Sequence, residues 1–289
     1  MDTDTQLRDP LLHGITLVTA GTGKTGRRVV KRLTARGVPV RVGSRVGDPP
    51  FDWSDRDTWK PALAGVDAVY LAYLPDIGAP RAADDIAAFA ELATAMGVER
   101  AVLLSGRNEP MAQRCEEIVQ GATWKWTVVR SSVFSQDFSE AFWLEPVRSG
   151  IVAVPAGEDA AEPFVDIEDV ADVAAAALTD ALHAGRVYEL SGPRSVTFAE
   201  ATAEIATVTG RPVRYQPVTT EQFTAAMTGE GVPPEEAGFV ADLFSALFDG
   251  RNAATTDGVR RALGRAPRAF RDYVRETAGT GVWGFGHEG

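Results

Sequence analysis

The amino-acid sequence predicts an α/β protein: a doubly wound parallel sheet followed by a smaller, mostly helical C-terminal lobe. Three observations predict it. Short, apolar, β-branched runs alternate with amphipathic segments through the first half of the chain. A glycine-rich turn joins the first run to the first helical segment, and after about Ser131 the alternation loosens into a largely helical pattern. Strand and helix in this rhythm mean parallel strands joined by right-handed crossovers, with helices on both faces of the sheet.

Taken in order, residues 15–20 (ITLVTA) form a strand that the glycine cluster ends. Residues 25–36 place Val29, Val30 and Leu33 on one helical face, and Gly37 stops that helix. Residues 38–43 (VPVRVG) are a second strand, a third is expected to end at Asp52-Trp53, and 67–74 (DAVYLAYL) are a fourth. Helix 84–96, with Ile86, Phe89, Ala90 and Ala93 on one face, stops at Gly97. A strand over 101–104, a helix over 110–120 and a strand over 126–130 complete the regular part. Beyond it the pattern predicts a helix over 166–178, a strand over 187–190 returning to the main sheet, a helix over 197–209 and a strand over 213–217. Residues 219–276 read as helical with breaks at 229–234 and 250, and the glycine-rich tail 277–289 as frayed, with Trp283 and Phe285 able to tuck back.

Composition narrows the function classes. Lys plus Arg number 29 and Asp plus Glu 40, a net charge of −11 that disfavours nucleic acid or an anionic membrane as partner. The single cysteine, Cys115, makes no internal disulfide, which favours a reducing, cytoplasmic setting. His13, His183 and His287 lie far apart and lack metal-ligand spacing with it, so no metal site is expected. The N-terminus is acidic and polar, without a signal-peptide pattern, and the longest apolar stretch, 68–74, is too short to span a bilayer.

The main chemical signal is the turn Gly21-Thr22-Gly23-Lys24-Thr25-Gly26, a G-x-G-x-x-G that follows a strand and opens a helix. Glycines so spaced permit a tight turn, close approach of main chain to a diphosphate and close helix–strand packing, and the helix N-terminus favours an anion. A Rossmann-type dinucleotide-binding domain over 1–155 and a substrate-binding lobe over 156–289 are therefore expected. Gly23-Lys24-Thr25 imitates the end of a P-loop, but Val18 stands where that motif requires its first glycine. After the second strand stands Gly43-Ser44-Arg45, with no carboxylate before Asp48. An arginine there suits a 2′-phosphate, and Ser44 adds a hydrogen bond, which favours NADP(H) over NAD(H). Asp52-Trp53 flanks the adenine, or else Trp53 belongs to the core.

The glycine loop, Ser44-Arg45, Phe51-Asp52-Trp53, Thr127-Val128-Val129-Arg130 with Phe134 and Phe138, and 163–171 (PFVDIEDVA) together resemble the NmrA-like atypical short-chain dehydrogenases. So do 231–235 (GVPPE) and 265–270 (RAPRAF), which extends the similarity over nearly the whole chain. Within the family, the loop with Ser-Arg and Phe-Asp-Trp is most similar to the branch of festuclavine and agroclavine dehydrogenases, which reduce an iminium in secondary metabolism. Ala20 departs from the family, where many members carry the first glycine of G-x-x-G-x-x-G.

The Tyr-x-x-x-Lys acid pair of typical short-chain dehydrogenases is missing. The residues four after Tyr70, Tyr73, Tyr188, Tyr215 and Tyr273 are Leu74, Ile77, Gly192, Thr219 and Thr277, and the equivalent helix carries Gln113 and Glu117. Two functions fit. One is NADPH-dependent hydride transfer to a small aromatic or heterocyclic electrophile, such as an iminium or a quinone, that needs no strong protein acid. The other is a non-catalytic NADP(H) sensor that regulates a protein partner. Candidate catalytic residues are Ser105, at the position of the superfamily's catalytic serine, and Tyr73, at the end of the fourth strand. Each is equally readable as a structural residue. Phe134, Phe138 and Phe142, at helical spacing, with Trp143 form either a wall for a planar substrate or core. The Asp166/Glu168/Asp169/Asp172 cluster reads as an acidic first helical turn with Asp166 as cap. Oligomeric state is not legible in the sequence.

Overall fold

The computed structural model describes residues 14–284, so expectations placed on residues 1–13, on Phe285 and on His287 lie outside that range. From β1 (Ile15–Val18) the chain runs through α1 (Lys24–Ala35), β2 (Val40–Val42), α2 (Trp59–Leu63), β3 (Val66–Leu71), α3 (Ala82–Ala95), β4 (Arg100–Gly106), α4 (Pro110–Gly121) and β5 (Lys125–Ser131). There follow α5 (Asp137–Glu140), α6 (Leu144–Ser149), β6 (Ile151–Val154), β7 (Ala161–Glu162), α7 (Ile167–Thr179) and β8 (Arg186–Leu190). The remainder comprises β9 (Val196–Thr197), α8 (Phe198–Thr209), β10 (Arg214–Pro217), α9 (Thr220–Gly229), α10 (Pro234–Leu247), α11 (Gly258–Leu263) and α12 (Phe270–Ala278).

These elements form two compact units. The first holds the described residues up to Ser131 with Ile167–Leu190 and Asp257–Ala266; the second holds Ser132–Asp166, Ser191–Thr256 and the described residues from Pro267. This interleaved division differs from the single cut near residue 155. β8 completes the first unit's sheet and α7 packs against α1, so segments distant in sequence return to it.

The first unit is a six-stranded sheet of order β2-β1-β3-β4-β5-β8, every pair parallel. It is the doubly wound Rossmann-type arrangement, with the order reversing at β1. Its strands are near-continuous apolar runs because both faces are covered: Leu17, Val69, Leu71, Ala101 and Leu103 are fully buried, as are Ile86 and Phe89 of α3. The expected third strand does not form. Asp52 makes only an isolated bridge to Asp55, and a 3-10 turn at Arg56–Thr58 leads into α2.

The second unit has two small sheets, β6 with β10 in parallel and β7 with β9 antiparallel, around an aromatic core of Phe138, Trp143, Phe164, Phe198, Phe248 and Phe270. Its helices start where the sequence offers caps. Thr197 with Glu200 and Thr219 with Gln222 each form a reciprocal capping box, at α8 and α9. The predicted aromatic face over 134–142 is not one helix. Ala141 leaves helical geometry (φ −149, ψ −139) between the one-turn α5 and α6. Phe138 and Trp143 therefore enter the core, while Phe142 is 56% exposed.

Candidate functional site

The glycine turn is held by the main chain of the strands beside it. Gly21 N–H donates to Gly43 O (2.9 Å), Gly43 N–H to Val18 O (2.9 Å) and Gly23 N–H to Ala20 O (2.8 Å). Thr19 is buried, its hydroxyl donating to Tyr70 O (3.0 Å) and accepting from Ala72 N–H (2.9 Å), which fixes the end of β1 to the end of β3. Gly21 and Gly26 are required by close approach. A Cβ at Gly26 would lie 2.1 Å from Ala20 O, and one at Gly21 would lie 2.8 Å from both Val18 O and a Val42 methyl.

The turn delivers α1 with Gly23 as its N-cap, no capping side chain and no acidic residue in the first turn. A helix start of this kind offers main-chain N–H groups and the positive end of the helix dipole to an anion. This fits a dinucleotide's diphosphate: Gly21, Thr22, Gly23, Lys24, Thr25 and Gly26 would hold it, Thr22 exposed and Thr25 buried. α1 is anchored along its length, because Arg28 and Arg32 pair with Glu168, Arg32 also with Asp172, and Arg265 with Asp169 and Asp172. The acidic run of α7 is thus spent on arginines, and Asp166 accepts from Gln136 (2.7 Å).

Ala20 takes φ +48, the left-handed region that glycine enters without strain. An L side chain there costs roughly 1–2 kcal/mol, against about 0.5–1 kcal/mol for glycine's greater unfolded-state freedom. Ala20→Gly is expected to raise stability by about 0.5 kcal/mol, read as a rise of about 1–2 °C in the thermal midpoint. An unchanged or lowered midpoint would contradict that expectation.

At the end of β2, Ser44 O accepts from Gly47 N–H (3.1 Å) and Phe51 N–H (2.8 Å), closing a loop from which Arg45 projects exposed. Asp52 stands near Arg45, but its carboxylate accepts from Ser54 N–H (2.9 Å) and Ser54 Oγ–H (2.8 Å); these bonds, main chain first, hold its pKa below the ordinary value, with a smaller contribution from Arg45. Trp53 is 4% exposed. Its Nε1–H donates to Ala72 O (2.9 Å) and its ring meets Phe51, Trp59, Tyr73 and Phe89. That places Trp53 in the core rather than against an adenine.

The two candidate catalytic hydroxyls are both committed. Tyr73 Oη donates to Asp85 Oδ2 (2.8 Å), a buried carboxylate that also takes Arg56 (2.7 Å), and burial followed by that bond pushes the Tyr73 phenol well above its usual pKa. Ser105 is buried and donates to Glu116 Oε1 (2.6 Å). Glu116 pairs with Arg130 (2.6 Å), Arg130 reaches Glu189 (3.3 Å), and Glu189 also takes Arg107 (2.9 Å). Ser105 thus belongs to a charged network at the carboxyl ends of β4 and β5, and neither hydroxyl has a proton to spare for an acceptor. Of the aromatic candidates, Phe134 lies on an isolated bridge to Val165, and only Phe142 offers an open face, edge-on to Phe244 (5.3 Å between centroids).

One group at this end of the sheet was missed by reading the sequence. Glu109, between β4 and α4, lies so close over Gly106 that a Cβ there would fall 1.9 Å from its Oε1. Asn108 beside it takes φ +54. Burial, and then the charge of Asp76, push the Glu109 carboxyl up to about 7. The signal available was a glycine ending a strand three residues before a glutamate that opens a helix at proline.

No model of a protein family matches the chain. A (4-alkanoyl-5-oxo-2,5-dihydrofuran-3-yl)methyl phosphate reductase of Streptomyces griseus is 34% identical over 283 residues, 91% of this chain and 97% of that one. Agroclavine dehydrogenase of Claviceps fusiformis is 29% identical over 287 residues, 92% and 98% of the two chains. Among solved structures, triphenylmethane reductase of Citrobacter, complexed with NADP(H), shares the fold with a TM-score of 0.73 at 22% identity, over 91% of this chain and 99% of that one. Among the described residues no helix is long and apolar enough to cross a membrane.

Proposed function

The chain belongs to the NmrA-like family of atypical short-chain dehydrogenases/reductases, and from that premise we propose that it is an NADPH-dependent reductase of a small, electron-poor aromatic or heterocyclic compound. That it is a nicotinamide-dependent reductase accords with its relatives, the (4-alkanoyl-5-oxo-2,5-dihydrofuran-3-yl)methyl phosphate reductase and agroclavine dehydrogenase. The observation that carries the reading is the uncapped, acid-free start of α1 behind a turn that only glycine fits at Gly26, with Ser44-Arg45 at the end of the neighbouring strand. The turn would hold the diphosphate, and Ser44 with Arg45 the 2′-phosphate of the adenosine ribose. Asp52 would stand behind Arg45, its carboxylate turned to Ser54. When bound, the nicotinamide supplies hydride; the protein orients the acceptor and keeps water away. In place of a Tyr-Lys pair the chain offers hydroxyls already given to Asp85 and Glu116, which suits an acceptor that is itself a strong electrophile. Within the second unit, Phe142, edge-on to Phe244, is proposed as an apolar face for an aromatic ring, with Phe134 in the same segment.

Arg45→Glu tests the cofactor assignment. Losing a charge-assisted phosphate contact and adding repulsion should weaken NADPH by about 10- to 100-fold while NADH changes by about twofold or less. Titration calorimetry with each coenzyme reads this, and equal losses for both would remove the 2′-phosphate from Arg45.

A further inference from the structure

We propose that Glu109 is the proton donor of this reductase and that its acceptors are therefore neutral conjugated carbonyl compounds of the quinone type. The inference rests on the cofactor placement argued above. If a dinucleotide has its phosphorylated ribose at the end of β2 and its diphosphate at the end of β1, its reactive ring lies over the ends of β3 and β4. Strand order β2-β1-β3-β4 fixes that direction.

Glu109 sits at that place. Its carboxyl covers Gly106, the last residue of β4, in the space a side chain would fill, and also stands beside Gly78, as does the carboxyl of Asp76, which follows β3. A Cβ at Gly78 would lie 3.0 Å from Asp76 Oδ1 and 3.1 Å from Glu109 Oε2, so two carboxyls flank one glycine. Asp76 is fixed there by accepting from Gly78 N–H (2.7 Å). Burial, and then the charge of Asp76, keep the proton on Glu109 towards neutral pH. The other charges nearby are engaged elsewhere: Arg107 with Glu189, Glu116 with Ser105 and Arg130, and Arg81 and Arg56 with Asp85. Among the described residues no ion pair engages the Glu109 carboxyl.

The step balances. Hydride adds to an electron-poor carbon of the conjugated system, the π pair moves onto the carbonyl oxygen, and the Glu109 O–H bond breaks to give that oxygen its proton. The acceptor gains two electrons, one hydrogen from the coenzyme and one from Glu109; the coenzyme is oxidised, and the Glu109 carboxylate takes a proton back from water. An iminium ion becomes a neutral amine on hydride addition alone and draws nothing from Glu109. That contrast identifies the substrate class.

The experiment compares wild type, Glu109→Gln, Asp76→Asn and Glu117→Gln, with NADPH and two acceptors, menadione and an N-methyl dihydroisoquinolinium ion. Glu109→Gln is expected to lower kcat for menadione about 10²- to 10⁴-fold while NADPH affinity by calorimetry and iminium reduction stay within about threefold. In wild type the menadione rate should fall as pH rises through about 7, since the acid form is the active one. Asp76→Asn should move that fall to lower pH, and exposed Glu117→Gln should change nothing. Infrared difference spectra of the coenzyme-free proteins should show a carboxyl band, absent in Glu109→Gln, that disappears near neutral pH. A Glu109→Gln rate within threefold of wild type on menadione, equal loss on both acceptors, or a carboxyl already ionised at about pH 5 would each overturn the assignment. Wild type that binds NADPH but reduces neither acceptor would instead fail the reductase reading beneath it, and this assignment with it.

Discussion

Gly26→Ala is expected to abolish measurable coenzyme binding and to destabilise the protein by about 3 kcal/mol. The added Cβ would stand 2.1 Å from Ala20 O and 2.8 Å from both Ala20 C and Gly21 Cα. All three are main-chain atoms of the turn itself, so no side chain can swing aside. Either α1 withdraws from the turn or the turn opens, and both displace the N–H groups that would face the diphosphate. The ion pairs from Arg28 and Arg32 to α7 oppose the first route. Gly23→Ala is the matched control: its Cβ would lie 3.1 Å from Ala20 O at φ −74, which a shift of a few tenths of an ångström accommodates. It should stay within about 1 kcal/mol of wild type. Urea denaturation and calorimetry with NADPH separate the two; near-normal binding by Gly26→Ala would mean that the turn is not the diphosphate site.

That contrast also shows what a sequence reveals. The turn was legible because its whole mechanism is local: strand, glycines and helix start fall within a dozen residues, and Gly21 and Gly26 each have a steric reason. The sheet was legible for a similar reason. Runs such as Leu17-Val18 and Ala101-Val102-Leu103-Leu104 are apolar on both faces, which only a covered parallel strand tolerates. Phe51 and Trp53 imitate that signal without forming a strand. They gain their burial from Trp59 and Phe89 across a turn, and hydrophobicity records burial, not extension. The stripe Phe134-Phe138-Phe142 misleads in the opposite way, since its helical spacing presumes one unbroken helix and Ala141 breaks it.

The catalytic candidates show a second limit. Ser105 and Tyr73 were chosen for their position at strand ends; Ser105 lies in the last two residues of β4, and Tyr73 two residues beyond the end of β3 at Leu71. What their hydroxyls do depends on Glu116 and Asp85, both on helices packed beside those strands. A carboxylate 11 or 12 residues downstream carries no periodic signature, and neither does Glu109 folded back over Gly106. Thr19 is comparable: its place between Tyr70 O and Ala72 N–H comes from strand order, which sequence spacing does not encode. Local chemistry is written in the chain, whereas the protonation and availability of a group are set by neighbours that folding brings in.

Glu116→Ala is expected to be the most destabilising change at the carboxyl end of the sheet, costing about 3–5 kcal/mol. Glu116 is 2% exposed and accepts three bonds, from Ser105 Oγ–H (2.6 Å), Arg130 Nε–H (3.0 Å) and Arg130 Nη2–H (2.6 Å). Truncating it leaves a partly buried guanidinium with Glu189 at 3.3 Å as the remaining carboxylate of this network, and a buried serine hydroxyl facing a void. Glu116→Gln keeps the volume and one acceptor but turns an amide N–H₂ on the arginine, so about 2 kcal/mol is expected. Ser105→Ala removes a single bond and leaves the ion pair whole, at about 1 kcal/mol. The ordering matters more than any one value. If Ser105 is a structural hydroxyl, Ser105→Ala should keep reductase activity within about threefold while stability drops as stated. Urea unfolding and menadione turnover measured on the same three variants decide between the roles. A Ser105→Ala protein as stable as wild type but about a hundredfold slower would return the serine to the acceptor and make the Glu116 contact its means of positioning.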